Sequence, residues 1–203
     1  MKAVFDHLAI SAASLEQGAL AIEAMLGVGL ESGGKHAFMG THNRLLSLGP
    51  GEYLEVIAID PEAPPPDRPR WFRLDRFSGP PRVTNWVLRT DDLDAALAEA
   101  PPGAGRPVAL ERPPFRWRMG VPDDGALPFD DAFPALIEWQ GSLHPARALP
   151  DRGCRLLRLE VSHPKGDRLR AALPIADRRI SIVTGPKAIR AEIATPHGEW
   201  WIE

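Results

Sequence analysis

The chain has 203 residues, 44% of them hydrophobic and 25% charged, with a formal net charge of −3. This is ordinary globular usage at a length that suits one large domain or two small ones, and it excludes a disordered or fibrous chain. The small, mixed charge argues against nucleic acid or an anionic membrane as partner and toward a small molecule, and no run approaches the ~20 apolar residues of a membrane span.

In chain order, VFDHLAIS opens at Val4 as a short strand that carries one histidine, His7, between apolar neighbours. Leu15, Ala19, Ile22 and Leu26 then recur at helical spacing, and glycines close the stretch, which predicts an amphipathic helix with a C-terminal stop. The glycine-rich loop GGKHAFMGTHN follows. NRLLSL and YLEVIAI read as two strands joined by a GPGE turn. PEAPPPDRPR has too many prolines for a helix or a sheet interior and predicts a stiff connector, with WFRLDRFSGPP after it as a short helix or turn over a core edge.

The pattern then returns. TNWVLRTDDLDAALAEA overlays DHLAISAASLEQGALA at a constant offset that pairs Thr84 with Asp6, Leu88 with Ile10 and Leu93 with Leu15, and strands are predicted at RPVALER, FRWRMGV and FPALIEWQG. The reading is a βαβββ unit over residues 1–60, a proline-rich linker over 61–82, and a second βαβββ unit over 83–141, forming one domain over 1–147. Residues 148–203 read as a smaller strand–helix–three-strand extension packed on it. Cys154 is the single cysteine, which rules out an intramolecular disulfide and suits a reducing compartment. The polar residues that interrupt MKAVFDHLAI do not suit a signal peptide, so a cytoplasmic protein is expected.

The repeat gives His7 a context. Glu55 lies in the last strand of the first unit, on the face it shares with Tyr53 and Ile57, and matching YLEV to LIEW puts Glu138 at the corresponding place in the second unit. Asn85 falls opposite His7. Two strand-borne carboxylates and an imidazole form a coherent donor set for a divalent ion such as Zn²⁺, Mn²⁺, Fe²⁺ or Ni²⁺, which would offset the cost of burying the carboxylates. The alternative for either glutamate is solvent or an ion pair with Arg89, Arg116 or Arg118. In the glycine-rich loop His36, His42 and Asn43 are candidate substrate-binding groups, or else solvated side chains of a flexible segment. FRWRMGV alternates Trp117 with Arg116 and Arg118, which suits either a pocket wall whose arginines grip a substrate carboxylate or a strand with one exposed face. No G-x-G-x-x-G, G-x-x-x-x-G-K or G-x-S-x-G occurs, so neither a nucleotide cofactor nor a serine nucleophile is expected.

In this order DHLAI, GGKHAFMGTHNRLLSLG, EYLEVIAID, TNWVLRTDDLDAAL and FPALIEWQGSLHPA resemble the glyoxalase-like domains of the vicinal oxygen chelate superfamily, over roughly residues 3–147. That resemblance implies an α+β fold whose paired βαβββ units form a half-open barrel of curved mixed sheet around a metal. It implies a lyase, isomerase or dioxygenase-type enzyme acting on a small oxygen-rich molecule. His7, Glu55 and Glu138 would hold the ion, Asn85 would be a weak ligand, and one glutamate would detach as general base. Asn85 departs from the stronger ligands usual at its place, and the rival reading is a metal-free small-molecule binding or sequestering protein, as a monomer or a homodimer.

Overall fold

The opening strand is buried along almost its whole length because both of its edges are paired. The structure, a computed structural model, describes residues 3–203, so the first two residues of the expected first unit lie outside it. β1 (Val4–Ser11) pairs in parallel with β4 (Glu52–Ile59) and antiparallel with β5 (Arg82–Arg89). Adding β2 (Glu31–His36), β3 (Thr41–Gly49), β6 (Arg106–Arg112), β7 (Phe115–Val121) and β8 (Ala135–Trp139) gives one eight-stranded sheet in the order β2-β3-β4-β1-β5-β8-β7-β6. The two βαβββ units thus join within one chain through β1 and β5, and the sheet curls into the expected half-open barrel.

The register at this joint carries the repeat. Ala9 lies opposite Asn85 and His7 opposite Val87, so β1 and β5 exchange places under a local twofold that advances the numbering by the offset read from the sequence. Between Phe5 and His7 the register slips, leaving Asp6 as the extra residue of a β-bulge.

Each unit lays one helix on the convex face. α1 (Leu15–Leu26) starts where the Ser14 hydroxyl accepts from Gln17 N–H and stops at Gly27, whose φ of 68° suits a residue without a Cβ. Gly18 lies against Ala12 so closely that an added Cβ would sit 2.4 Å from the alanine Cβ. The second helix is α2 (Leu93–Glu99), capped by Asp92, and a single turn, α3 (Pro145–Ala148), follows β8. Among the described residues no helix is long and apolar enough to cross a membrane.

Side chains then sort by strand parity. Leu8, Ile10, Leu54, Val56, Trp86 and Leu88 face the helices and the second sheet. Ala9, Ile57, Val87, Trp117, Met119 and Ile137 face inward, where Trp71, Phe72 and Leu74 cover them. Those three come from the end of the proline-rich linker, a tight double turn over Trp71–Arg76. β9 (Arg155–His163), α4 (Gly166–Ala172), β10 (Ile180–Thr184), β11 (Ala188–Thr195) and β12 (Gly198–Ile202) form a separate four-stranded sheet in the order β10-β9-β11-β12. Here the parallel partner of the first strand is the next strand in sequence, whereas β1 and β5 each pair in parallel with the last strand of their unit.

ESGGKH is a strand, β2, where the sequence suggests a glycine-rich loop. A Cβ on Gly33 would fall 1.9 Å from Asn43 Oδ1, and one on Gly34 would fall 2.5 Å from Arg112 Cδ. The glycines let this edge strand pass close over two polar side chains, and that closeness builds the site below.

Candidate functional site

The bulge at Asp6 decides the chemistry of the concave face. Neighbouring strand residues normally point to opposite faces, but the extra residue re-aims Asp6 so that its Oδ1 lies 2.6 Å from His7 Nδ1. Asp6 is fully buried, and its Oδ2 lies within 3.0 Å of His144 Nε2, accepts from Trp139 Nε1 at 3.0 Å and accepts from Arg89 at 3.1 Å. Burial alone would raise this carboxyl, but the hydrogen bonds to His144 and His7 outweigh it and hold Asp6 well below the usual carboxylate range. The charged Asp6 therefore fixes a proton on His7 Nδ1 and turns Nε2 toward the cavity.

Nε2 faces Glu55, with Oε2 3.7 Å away. The other oxygen, Oε1, accepts from Asn43 Nδ2 at 2.5 Å. The amide orientation of Asn43 follows from its partners, because Gly34 N–H donates to Oδ1 at 2.8 Å and leaves the NH₂ for Glu55. His36 Nε2 lies 3.4 Å from that same NH₂, and His36 Nδ1 lies 3.0 Å from Thr41 Oγ1.

Aromatic rings close the space. His7 stacks on Tyr53 at 4.4 Å, Trp71 and Trp117 meet His36 edge-on at 5.2 and 6.1 Å, and Trp139 completes the wall. The void left is about 30 Å³, room for roughly one water. Arg112 also lines it, and its Nε is buried with no hydrogen-bond partner.

Burial pushes the His36 imidazole down to about 4, with Glu55 pulling the other way. The folded protein holds this ring neutral while an unfolded chain protonates it below about pH 6.5. Stability therefore falls as pH drops from about 6.5 toward 4, by on the order of 3 kcal/mol. Urea melts at pH 7 and 4.5 measure this: His36→Gln is expected to shrink the drop, and an equal drop in parent and variant contradicts the assignment.

The sequence-predicted residues divide clearly. His7, Glu55, His36, Asn43 and Trp117 line one cavity. Glu138 does not join them. Glu55 lies opposite Ala9, and Val87, the repeat equivalent of Ala9, lies opposite Ala135, so Ala135 holds the place of Glu55 in the second unit. Matching YLEV to LIEW is three residues late, and an odd slip turns a strand residue to the other face. There Glu138 accepts from Leu93 N–H at the start of α2, from Gln140 and from Arg118 at 3.3 Å, so the ion-pair alternative describes it. Asn85 is on the concave face but lines a different cavity. Arg116 is exposed beside Glu111, Arg118 is held by Asp94 and Glu138, and His42 is outside the box near Asp60 and Lys35.

With Ala135 and Asn85 in the second unit, the expected ion keeps two donors, His7 Nε2 and Glu55 Oε2. Among the described residues no group of three His, Cys, Asp or Glu side chains is placed to hold a metal. A zinc site needs at least three protein ligands, so the residues present do not fit the ion that the resemblance implies.

Asp6, Tyr53, Arg112, Trp139 and His144 are parts of the site, or of its support, that sequence reasoning missed. Asp6 had a signal, its position next to His7, but period-two alternation points it away. The others carry no local mark.

A family model described as a glyoxalase-like domain matches residues 5–176. No curated protein matches the chain in sequence. A hypothetical protein from Staphylococcus aureus is 13% identical with a TM-score of 0.57, over 99% of this chain and 84% of its own. Methylmalonyl-CoA epimerase from Mycobacterium tuberculosis is 20% identical over 68% of this chain and 88% of its own, with a TM-score of 0.41. A mutant 4-hydroxymandelate synthase from Streptomyces coelicolor is 16% identical over 73% and 53%, with a TM-score of 0.38.

Proposed function

The chain belongs to the glyoxalase-like domain family, and from that premise we propose that it moves a proton on a small carbonyl-bearing carboxylate with its own side chains and no resident metal ion. One observation carries this reading: two bases, His7 Nε2 and Glu55 Oε2, face each other at 3.7 Å inside an aromatic box that also holds an unpartnered arginine nitrogen. At that distance they do not hydrogen bond to each other, which leaves the carboxylate free to take a proton from a substrate and the imidazole free to meet the substrate's oxygen.

In this account Arg112 grips the carboxylate, and the tryptophans pack the planar part of the substrate. Glu55 removes the proton on the carbon next to the carbonyl. The electron pair of that bond moves onto the carbonyl oxygen, which takes a hydrogen bond or a proton from His7 Nε2–H when the ring is doubly protonated. Asp6 orients the imidazole and supports its positive charge, while Asn43 keeps one carboxylate oxygen occupied and the other free. A substrate larger than water enters when the Trp71–Arg76 turn lifts. That turn holds Phe72 and Arg73 at φ of 57° and 50°, left-handed angles that cost energy for residues with a Cβ.

The test uses 2-oxobutyrate in deuterium oxide, with loss of its C3 proton signal followed by NMR. The protein is expected to speed the exchange above the buffer rate. Binding of 2-oxobutyrate with no gain in exchange would overturn the catalytic reading in favour of a metal-free binding protein, and no binding and no exchange would overturn both.

A further inference from the structure

Phe72 lines a second and larger cavity, of about 760 Å³, between β5 and the second sheet. A volume of this size is in the range that holds metabolite-sized ligands. Its wall takes residues from β5, from β9 and β11, and from the Trp71–Arg76 turn.

Two features of this wall lack partners. The first is Asn85, 1% exposed, with neither its amide nitrogen nor its amide oxygen hydrogen bonded. A buried amide left unpaired on both atoms is among the costlier arrangements a fold can keep, and a native structure with one calls for an explanation. The second is charge. Arg73 is paired with Asp131 at 2.9 Å and Arg190 with Glu160 at 2.7 Å. Among the described residues Arg76, Arg82 and Lys187 have no carboxylate within ion-pair distance, and Glu203 is the carboxylate left to oppose them. Arg82 instead donates to the Ser78 and Pro80 carbonyls and lies over the Phe77 ring.

We propose that this cavity is a ligand site for an organic anion with an amide- or imide-type edge, the edge pairing with both atoms of the Asn85 amide and the anionic group sitting among Arg76, Arg82 and Lys187. A primary amide offers one donor and one acceptor side by side, and an imide or lactam edge is its complement. Burial pushes the Lys187 ammonium below its ordinary range, against the pull of Asp131, and an anion beside it reverses that cost. The site stands apart from the chemistry at Glu55, so either stands if the other fails.

The anion has two sources, a phosphate or a carboxylate, and two probes separate them: uridine 5′-monophosphate and orotate, with uridine and ribose 5-phosphate as controls that lack the charge or the edge. By calorimetry one of the two anions is expected to bind at least about tenfold more tightly than both controls, and Asn85→Leu is expected to lower that affinity by about tenfold or more, since a ligand edge left unpaired is costly. The same variant is expected to melt at a higher temperature, because it removes an unpaired buried amide. Lys187→Gln, which keeps Asn85, is expected to weaken the charged probe and leave uridine unchanged. No binding of either anion, controls that bind as tightly, or variants that bind like the parent would overturn the proposal, as would a lowered melting temperature in Asn85→Leu.

Discussion

Replacing Asp6 with asparagine is expected to cost about 3–5 kcal/mol of folding free energy, the range for breaking a buried charge network from one side. The carboxylate is fully buried and meets His7, His144, Trp139 and Arg89, all within 3.1 Å. Asparagine brings one acceptor oxygen, and its NH₂ would confront groups that are themselves donors. The arginine charge would be left without its acid partner. Since small domains hold only about 5–15 kcal/mol in total, the loss is a large share of what there is. The acid limb changes too. The folded carboxyl is held below its ordinary value, so its contribution is complete above about pH 4 and is lost as pH falls further. Urea unfolding of Asp6→Asn at pH 7, and its slope below pH 4, measure both effects. A loss under about 1 kcal/mol would mean the network is not what holds β1 in place.

Glu55→Gln is the second large effect. Glutamine keeps the size of the side chain and an oxygen to accept from Asn43, so folding is expected to change little, but it cannot take a proton from carbon. Removing a positioned general base costs about 10²–10⁴-fold in rate, and the exchange assay should lose that much. Glu138→Gln is the control. That residue serves the start of α2 and Arg118 on the far face, so its rate is expected to match the parent. Equal rates in Glu55→Gln and the parent would remove Glu55 from the chemistry.

The joint between the units was legible because β1 and β5 keep one offset in number and in space, His7 opposite Val87 and Ala9 opposite Asn85. Helix α1 was legible from its apolar spacing and its glycine stop. The last strand of the second unit was not, because two short segments containing a glutamate can be matched by letter while their backbones match three residues apart. Strand side is a property of register, and register is fixed by pairing with β5, which one segment alone does not reveal. The bulge hid Asp6 in the same way. Arg112 ends β6 next to Pro113 and looks like any hairpin arginine; only folding lays it beside Gly34 and the aromatic box. Arg116 and Arg118 had the more suggestive alternation, yet strand parity sends both outward, since Trp117 between them faces the core.

Whether two facing bases do their work unaided is decided by removing metal. The exchange rate and the metal content of protein purified without chelator should be measured together, before and after exhaustive chelation. The account predicts sub-stoichiometric metal and one unchanged rate; a stoichiometric ion whose removal abolishes exchange, and whose return restores it, would contradict it.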